Sequence, residues 1–332
     1  MPETEKNIQK IQKKIGLLKE EIGKVIIGQE EVVGQALATL FAGGHTLLEG
    51  APGLAKTLLV RTLAAATSLT FKRIQFTPDL MPGDIIGTEV LHELKTGGHE
   101  FRFMKGPVFT NILLADEINR TPPKTQSALL EAMQEYEVTY AGTEHKIEKP
   151  FFILATQNPV EQAGTFPLPE AQLDRFMTYI LLDYPTEQEE QKILESTTGS
   201  KGPDPKPVIT GTEVIEIQSL VREVSVHPDL VGHINKLTRS TRPSTEEAPD
   251  FVRETVDWGA GPRSGQALVL TAKARAFMEG RYSVVPEDIM TMARPVLRHR
   301  VLLNFRAEAD KTTTDEIIGR LLDYVKLPKA QW

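Results

Sequence analysis

Lys56 and Thr57 close a run, Gly50-Ala51-Pro52-Gly53-Leu54-Ala55, that offers backbone amides where most sites offer side chains. Glycine at Gly50 and Gly53 lets the chain fold back so that successive N–H groups point inward at a phosphate, and a helix opening at Lys56 adds the positive end of its dipole. Lys56 would then reach the β- and γ-phosphates, and the Thr57 hydroxyl would ligate Mg²⁺. The spacing is that of G-x-x-x-x-G-K-[ST], with Ala55 in place of the glycine before the lysine. Alanine suits a helix start, so this departure costs backbone freedom and not charge. The run Asn111-Ile112-Leu113-Leu114-Ala115 ends in Asp116-Glu117, the pattern of a buried parallel strand whose carboxyl end opens on a site. Asp116 would hold the hydrated Mg²⁺, and Glu117 would orient and deprotonate the attacking water. A further apolar run, Phe151 to Thr156, ends at Gln157-Asn158-Pro159, where Asn158 either hydrogen-bonds the γ-phosphate or the water or serves only as a turn residue. ATP and Mg²⁺ are the cofactors these residues call for.

Each group needs an element to hold it. Thr46-Leu47-Leu48 reads as the strand before the loop, and Leu58, Leu59, Thr62, Leu63 and Ala66 as one face of the helix after it. Upstream, Ile8, Ile11, Ile15, Leu18, Ile22 and Val25 recur at helical spacing, and Val32 to Leu40 form a second helix. Between them Ile26 and Ile27 lie either against the adenine or simply in the core. Phe71 to Phe76 alternates as a strand. The segment 77–107, with Pro78, Pro82, Gly83, Gly87, Gly97, Gly98 and Gly106, suits a hairpin-bearing insertion better than a helix. It either contacts a substrate, senses the nucleotide or lies passively on the surface. A helix starts at Pro122-Pro123, a second hairpin occupies 137–147, and Leu168 to Phe176 gives a short helix containing Asp174 and Arg175. Met177 to Leu182 is the last strand. From Thr186 onward only helices are expected, at 186–198, 213–224, 227–240, 264–280, 286–297 and 313–326, with Arg242 to Asp257 as a loop. The chain therefore divides near residue 185 into an α/β half, 1–185, and a helical half, 186–332.

Composition narrows the function. Without cysteine there is no disulfide frame, thiolate nucleophile or sulfur metal site. The seven histidines are scattered and no H-E-x-x-H pattern occurs, which argues against a protein-held catalytic metal. The net charge is −7; residues 1–185 hold 18 Lys+Arg against 23 Asp+Glu, and the remainder 20 against 22. Neither half has the basic character of a nucleic-acid binder. The densest positive cluster, Arg294, Arg298, His299, Arg300 and Arg306, reads as a solvated face or subunit contact. No apolar run is long enough to span a bilayer, and MPETEKNIQKIQKK lacks the apolar stretch of a secretory signal, so cytoplasm is the expected location.

The order of these features resembles the AAA+ ATPases and, within them, the MoxR family. The resemblance covers nearly the whole chain and rests on GAPGLAKT at 50–57, LLADEINR at 113–120, ATQNP at 155–159, LPEAQLDRF at 168–176, GPRSGQAL at 261–268 and VLRHRVLLNFRAEAD at 296–310. It implies an α/β/α sandwich with a five-stranded parallel sheet, a helical lid, and ATP between them at the border to the next subunit. It implies that Asn158 is the sensor that positions the water and that Arg175 is an arginine finger for the neighbour's ATP. Arg263 would be the second sensor, acting on its own subunit's nucleotide or the next one's. The insertions at 77–107 and 137–147 match the hairpins of the branch shared with magnesium-chelatase and MCM-type subunits. The implied assembly is a homo-oligomeric ring, hexameric in expectation, acting as a chaperone-like motor on protein clients. Those clients would need maturation or metal insertion, and the partners would carry von Willebrand type A domains. The rivals are a nucleotide-gated scaffold with little turnover, an MCM-like nucleic-acid motor and a small-molecule phosphotransferase.

Overall fold

The computed structural model describes residues 3–93, 99–158, 164–199 and 204–328. Five strands, β1 (Thr46–Gly50), β2 (Phe71–Gln75), β3 (Ile112–Asp116), β4 (Phe152–Gln157) and β5 (Thr178–Leu182), form one sheet in the order β2-β3-β4-β1-β5. All four pairings are parallel. The continuous apolar runs of β1, β3 and β4 follow from burial on both faces. Leu48, Ile112, Leu114, Phe152 and Leu154 face one core, while Leu47, Leu113, Ala115, Ile153 and Ala155 face the other. β2 lies at an edge, which is why polar Lys72, Arg73 and Gln75 are tolerated there.

The amino-terminal helix, Glu3–Gly23, buries Ile11, Ile15, Leu18 and Ile22, the stripe its spacing predicts. It shares its core with the helices Glu30–Ala42 and Lys56–Ala66 and with the carboxyl-terminal helices, so that face of apolar packing runs from Ile11 to Val325. Lys14–Glu213 and Lys19–Glu279 ion pairs, at 2.6 Å and 2.8 Å, tie the first helix to the later ones. The helix Pro123–Glu135 packs in the second core.

Both insertions contain hairpins. In the first, Gly87–Glu93 pairs with His99–Lys105, but the segment also holds a short helix, Pro82–Ile86, which its Pro and Gly content argued against. Proline at its first position and Asp84 accepting the Met81 N–H allow that turn to start. Gly97 and Gly98 lie outside the described residues. The second hairpin, Glu137–Tyr140 with Thr143–Lys146, turns through Ala141 and Gly142, both at positive φ (48° and 80°) as a two-residue hairpin turn requires. The two hairpins meet through Phe103, whose ring stacks on His145 at 3.9 Å and lies 5.4 Å from Tyr140.

Beyond β5 come helices Glu187–Thr197, Gly211–Glu223, Pro228–Ser240, Pro262–Met278, Pro286–Leu297 and Thr314–Tyr324. Capping boxes at Thr186/Glu189, Thr210/Glu213 and Thr313/Glu316 start three of them. The expectation that strands stop after residue 185 is corrected: Val256–Trp258 pairs antiparallel with Leu302–Leu303, and a helix, Asp250–Thr255, occupies part of the segment read as a loop. Strands this short carry too little periodicity to be seen, and the partner lies far along the chain. Among the described residues no helix is long and apolar enough to cross a membrane.

Candidate active site

Because β1, β4 and β3 are successive neighbours and parallel, Gly50, Asn158 and Asp116 emerge side by side at one end of the sheet. Gly50 is pressed against β5, where a Cβ would stand 2.8 Å from that of Leu182. In the loop, Leu54 is buried beneath the turn, Ala51 is half-buried, and Pro52, Gly53 and Ala55 are exposed. Gly53 has φ 88°, and Ala55, the residue before the lysine, has φ 57°. Alanine thus occupies a left-handed conformation that glycine adopts without strain. Relieving that strain, about 1–2 kcal/mol, outweighs the extra entropy of glycine, about 0.5–1 kcal/mol. Ala55→Gly should therefore raise unfolding stability by roughly 0.5–1 kcal/mol, measured by chemical denaturation; a loss of stability would show that the alanine is not strained.

Lys56 Nζ donates to the Gly50 carbonyl at 2.6 Å, folded over its own loop. Burial lowers its pKa, and the carboxylates of Asp116, Glu117 and Glu49 oppose that shift. Thr57 is half-buried on the first turn of the helix.

Asp116 is 8% exposed. Its Oδ1 accepts from the Thr156 hydroxyl at 2.6 Å, and its Oδ2 accepts twice from Arg73, Nε at 3.0 Å and Nη2 at 2.7 Å. Glu117 stands at φ 57°, a strained conformation held by its N–H donating to Thr156 Oγ1 at 2.8 Å. Its Oε2 accepts from Gln75 Nε2 at 2.7 Å and from Arg120 Nη1 at 3.1 Å. Thr156 thus sets both acids at once. Asn158 is buried immediately after β4.

Ile26 is buried in the core and lines a cavity of about 360 Å³ together with Lys19, Met278 and Met292, a space that no loop residue lines. Ile27 is half-buried. The residue of this stretch that reaches the loop is Gln29: its Nε2 donates to the Leu54 carbonyl at 3.4 Å, and its Oε1 is buried with no partner among the described residues. An orphaned acceptor beside a phosphate loop fits a nucleotide's amino group or ribose hydroxyl. Thr57 and Asp116 offer only oxygen donors, and few of them. That suits Mg²⁺, which keeps several waters and takes the rest of its shell from phosphates.

Arg175 and Arg263 lie elsewhere. β5 runs from Thr178, opposite Thr46, to Leu182, opposite Gly50, so the loop and Arg175 flank opposite ends of a strand spanning about 13 Å. Arg175 Nη1 donates to the Leu130 carbonyl at 2.7 Å. Arg263 Nη1 sits 3.6 Å from Asp174 Oδ2, and Arg300 Nε 2.7 Å from Asp174 Oδ1. These three arginines line a cavity of about 290 Å³ that also holds His45 and Gln266 and includes no residue of the phosphate loop. His45 is kept neutral there, burial pushing its pKa down to about 4. Its Nδ1 accepts the Ile153 N–H at 3.0 Å and its Nε2 donates to the Met133 carbonyl at 3.1 Å.

The basic cluster is also corrected. His299 and Arg300 are buried, at 4% and 8% exposure, and Arg298 pairs with Asp315 and the Tyr179 carbonyl. These three fasten the helix Pro286–Leu297 to the start of β5, while Arg294 and Arg306 are exposed, so only those two keep the solvated character expected. Arg73 and Gln75 were legible only as polar residues two apart on an edge strand, hence on one side of it. Thr156 and Arg120 lay inside quoted motifs without an assigned role.

The signature of the ATPase family associated with various cellular activities matches residues 45–178, and that of the AAA lid domain matches residues 250–321. The chain is 41% identical to Chaperone MoxR1 of Mycobacterium tuberculosis over 93% of its own length and 81% of the relative's. It is 29% identical to Protein MoxR of Methylorubrum extorquens over 85% of its length and 86% of the relative's. A crystal structure of a Cytophaga hutchinsonii protein, classed by inference as an ATPase, superposes with a TM-score of 0.91 at 42% identity, covering 98% of each chain.

Proposed function

Because this chain belongs to the MoxR family of AAA+ ATPases, we propose that it hydrolyses ATP in a Mg²⁺-dependent reaction completed between subunits of a ring, and uses the cycle to remodel protein clients in the cytoplasm. The observation that carries this reading is the placement of Arg175 and Arg263 at the end of the sheet opposite Lys56, Asp116 and Glu117. Arg175 stands just before β5 and would have to unfold that strand to reach its own loop, and Arg263 is paired beside it with Asp174. In a ring, both would face the neighbour's nucleotide, Arg175 as finger and Arg263 as second sensor.

Within one site, the loop amides from Ala51 to Ala55 and Lys56 hold the β- and γ-phosphates, and Gln29, with Ile26 and Ile27 behind it, closes on the base side. Thr57 and Asp116 would hold Mg²⁺, which neutralises phosphate charge when bound. Glu117 takes the proton of the attacking water, Asn158 orients it, and Arg175 of the adjoining subunit withdraws charge from the transferring phosphoryl group. A relative named as a chaperone supports protein clients. Von Willebrand type A domain partners and clients awaiting metal insertion are the finer form of the same reading.

The test is ATPase rate per subunit against protein concentration, with particle mass recorded on the same samples. The rate should climb as rings form. Arg175→Ala and Glu117→Gln, each inactive alone, should regain a fraction of activity when mixed, because some borders then join an intact Arg175 to an intact Glu117. A flat rate per subunit from monomer upward would overturn the shared site.

A further inference from the structure

Arg73 occupies the position where a divalent cation's charge is needed. The charges of Asp116, Glu117 and Glu49 all act on Lys56. Lys56 spends its reach on the Gly50 carbonyl at 2.6 Å. Arg73 reaches in from the edge strand and gives two N–H groups to a single oxygen, Asp116 Oδ2, at 3.0 Å and 2.7 Å. The other oxygen, Oδ1, is already taken by Thr156. Both carboxylate oxygens of Asp116 are therefore engaged, one by a neutral hydroxyl and one by a full positive charge.

We propose that Arg73 stands in for Mg²⁺ at Asp116, neutralising the carboxylate before the ion arrives and opposing the ion's capture. The same guanidinium also donates from Nη2 to Gln75 Oε1 at 2.6 Å, and Gln75 in turn holds Glu117. If the bonds to Asp116 were given up, Arg73 would keep Gln75 Oε1 as a partner on its own strand. Asp116 does not need Arg73 for its orientation, because Thr156 fixes Oδ1 and the strand fixes the backbone. Removing the arginine thus removes more competition than order. The side chain of Arg73 is 46% exposed, so water screens the pair and the effect is modest.

This inference rests on the Mg²⁺·ATP reading above, and its test separates the two. The probe is a fluorescent ATP analogue, mant-ATP, and the readout is the factor by which saturating MgCl₂ tightens its binding relative to EDTA. A wild-type factor of one would overturn the Mg²⁺·ATP reading itself. Given a wild-type factor above one, Arg73→Met should enlarge it by roughly two- to fivefold, the range of an exposed ion pair. Arg73→Lys, which keeps the charge, should stay near wild type. Arg73→Gln serves as the second neutral variant if Arg73→Met folds poorly. An unchanged or smaller factor in the neutral variants, or Arg73→Lys behaving like Arg73→Met, would overturn the role assigned to the charge. A merely structural arginine would shift the unfolding midpoint without moving this ratio.

Discussion

Glu117→Gln is expected to lower ATP turnover by about 10²–10⁴-fold, the range for losing a positioned general base, while mant-ATP binding stays within a few-fold of wild type. Glutamine matches glutamate in shape but cannot take the water's proton. The backbone at φ 57° is held by the N–H to Thr156, a bond the substitution leaves in place. An amide oxygen can still accept from Gln75 and Arg120, so the surrounding network has partners. Losing one negative charge near Lys56 lowers repulsion toward phosphates, so affinity should hold or tighten. Phosphate release and equilibrium binding on the same preparation check both halves. Turnover within tenfold of wild type would move the base elsewhere, and loss of binding would show that the variant had disturbed the loop.

Arg300→Met should destabilise the fold by about 3–5 kcal/mol, as expected when one member of a buried charged network is removed. Arg300 is 4% exposed at its side chain and donates to Asp174 Oδ1 and to the carbonyls of Met177, Phe176 and Val296. Methionine fills much of the volume but supplies no donor, leaving Asp174 and these carbonyls short of a partner. Among the described residues the carboxylate then retains its pair with Arg263, at 3.6 Å. Urea denaturation reads the loss directly. A change under 1 kcal/mol would mean that water replaces the guanidinium and that the helix Pro286–Leu297 is fastened to β5 by packing alone.

These two side chains differ in how far the sequence revealed them. Glu117 was legible because its meaning is local: an apolar run, an acid pair, and a phosphate loop upstream. Five strands and the helices between them were legible for the same reason, since periodicities of 2 and 3.6 are written within a dozen residues. Arg300 was not. In sequence it sits among other basic residues and looks solvated; only the approach of β5, more than a hundred residues earlier, buries it. Arg73 is the same case, its partner Asp116 being brought alongside by the β2–β3 pairing. Gln29 carried no periodic signal, because it lies in the break between two helices and gains its meaning from the Leu54 carbonyl. The short strands Val256–Trp258 and Leu302–Leu303 depend on each other across a long separation, which local pattern does not record.

That the loop and Arg175 flank opposite ends of β5 constrains any assembly that joins them. Where the two faces meet head to tail, the contact is heterologous and adds one subunit at a time. In an open chain of such contacts, one terminal subunit always keeps a loop that no neighbour completes. Only closure removes that defect, and if the rotation per subunit does not close, the same contact continues as a helix. Catalytic completeness would then favour a closed circle over a filament, and a single subunit with a damaged arginine face would leave one gap in the circle without stopping it from closing.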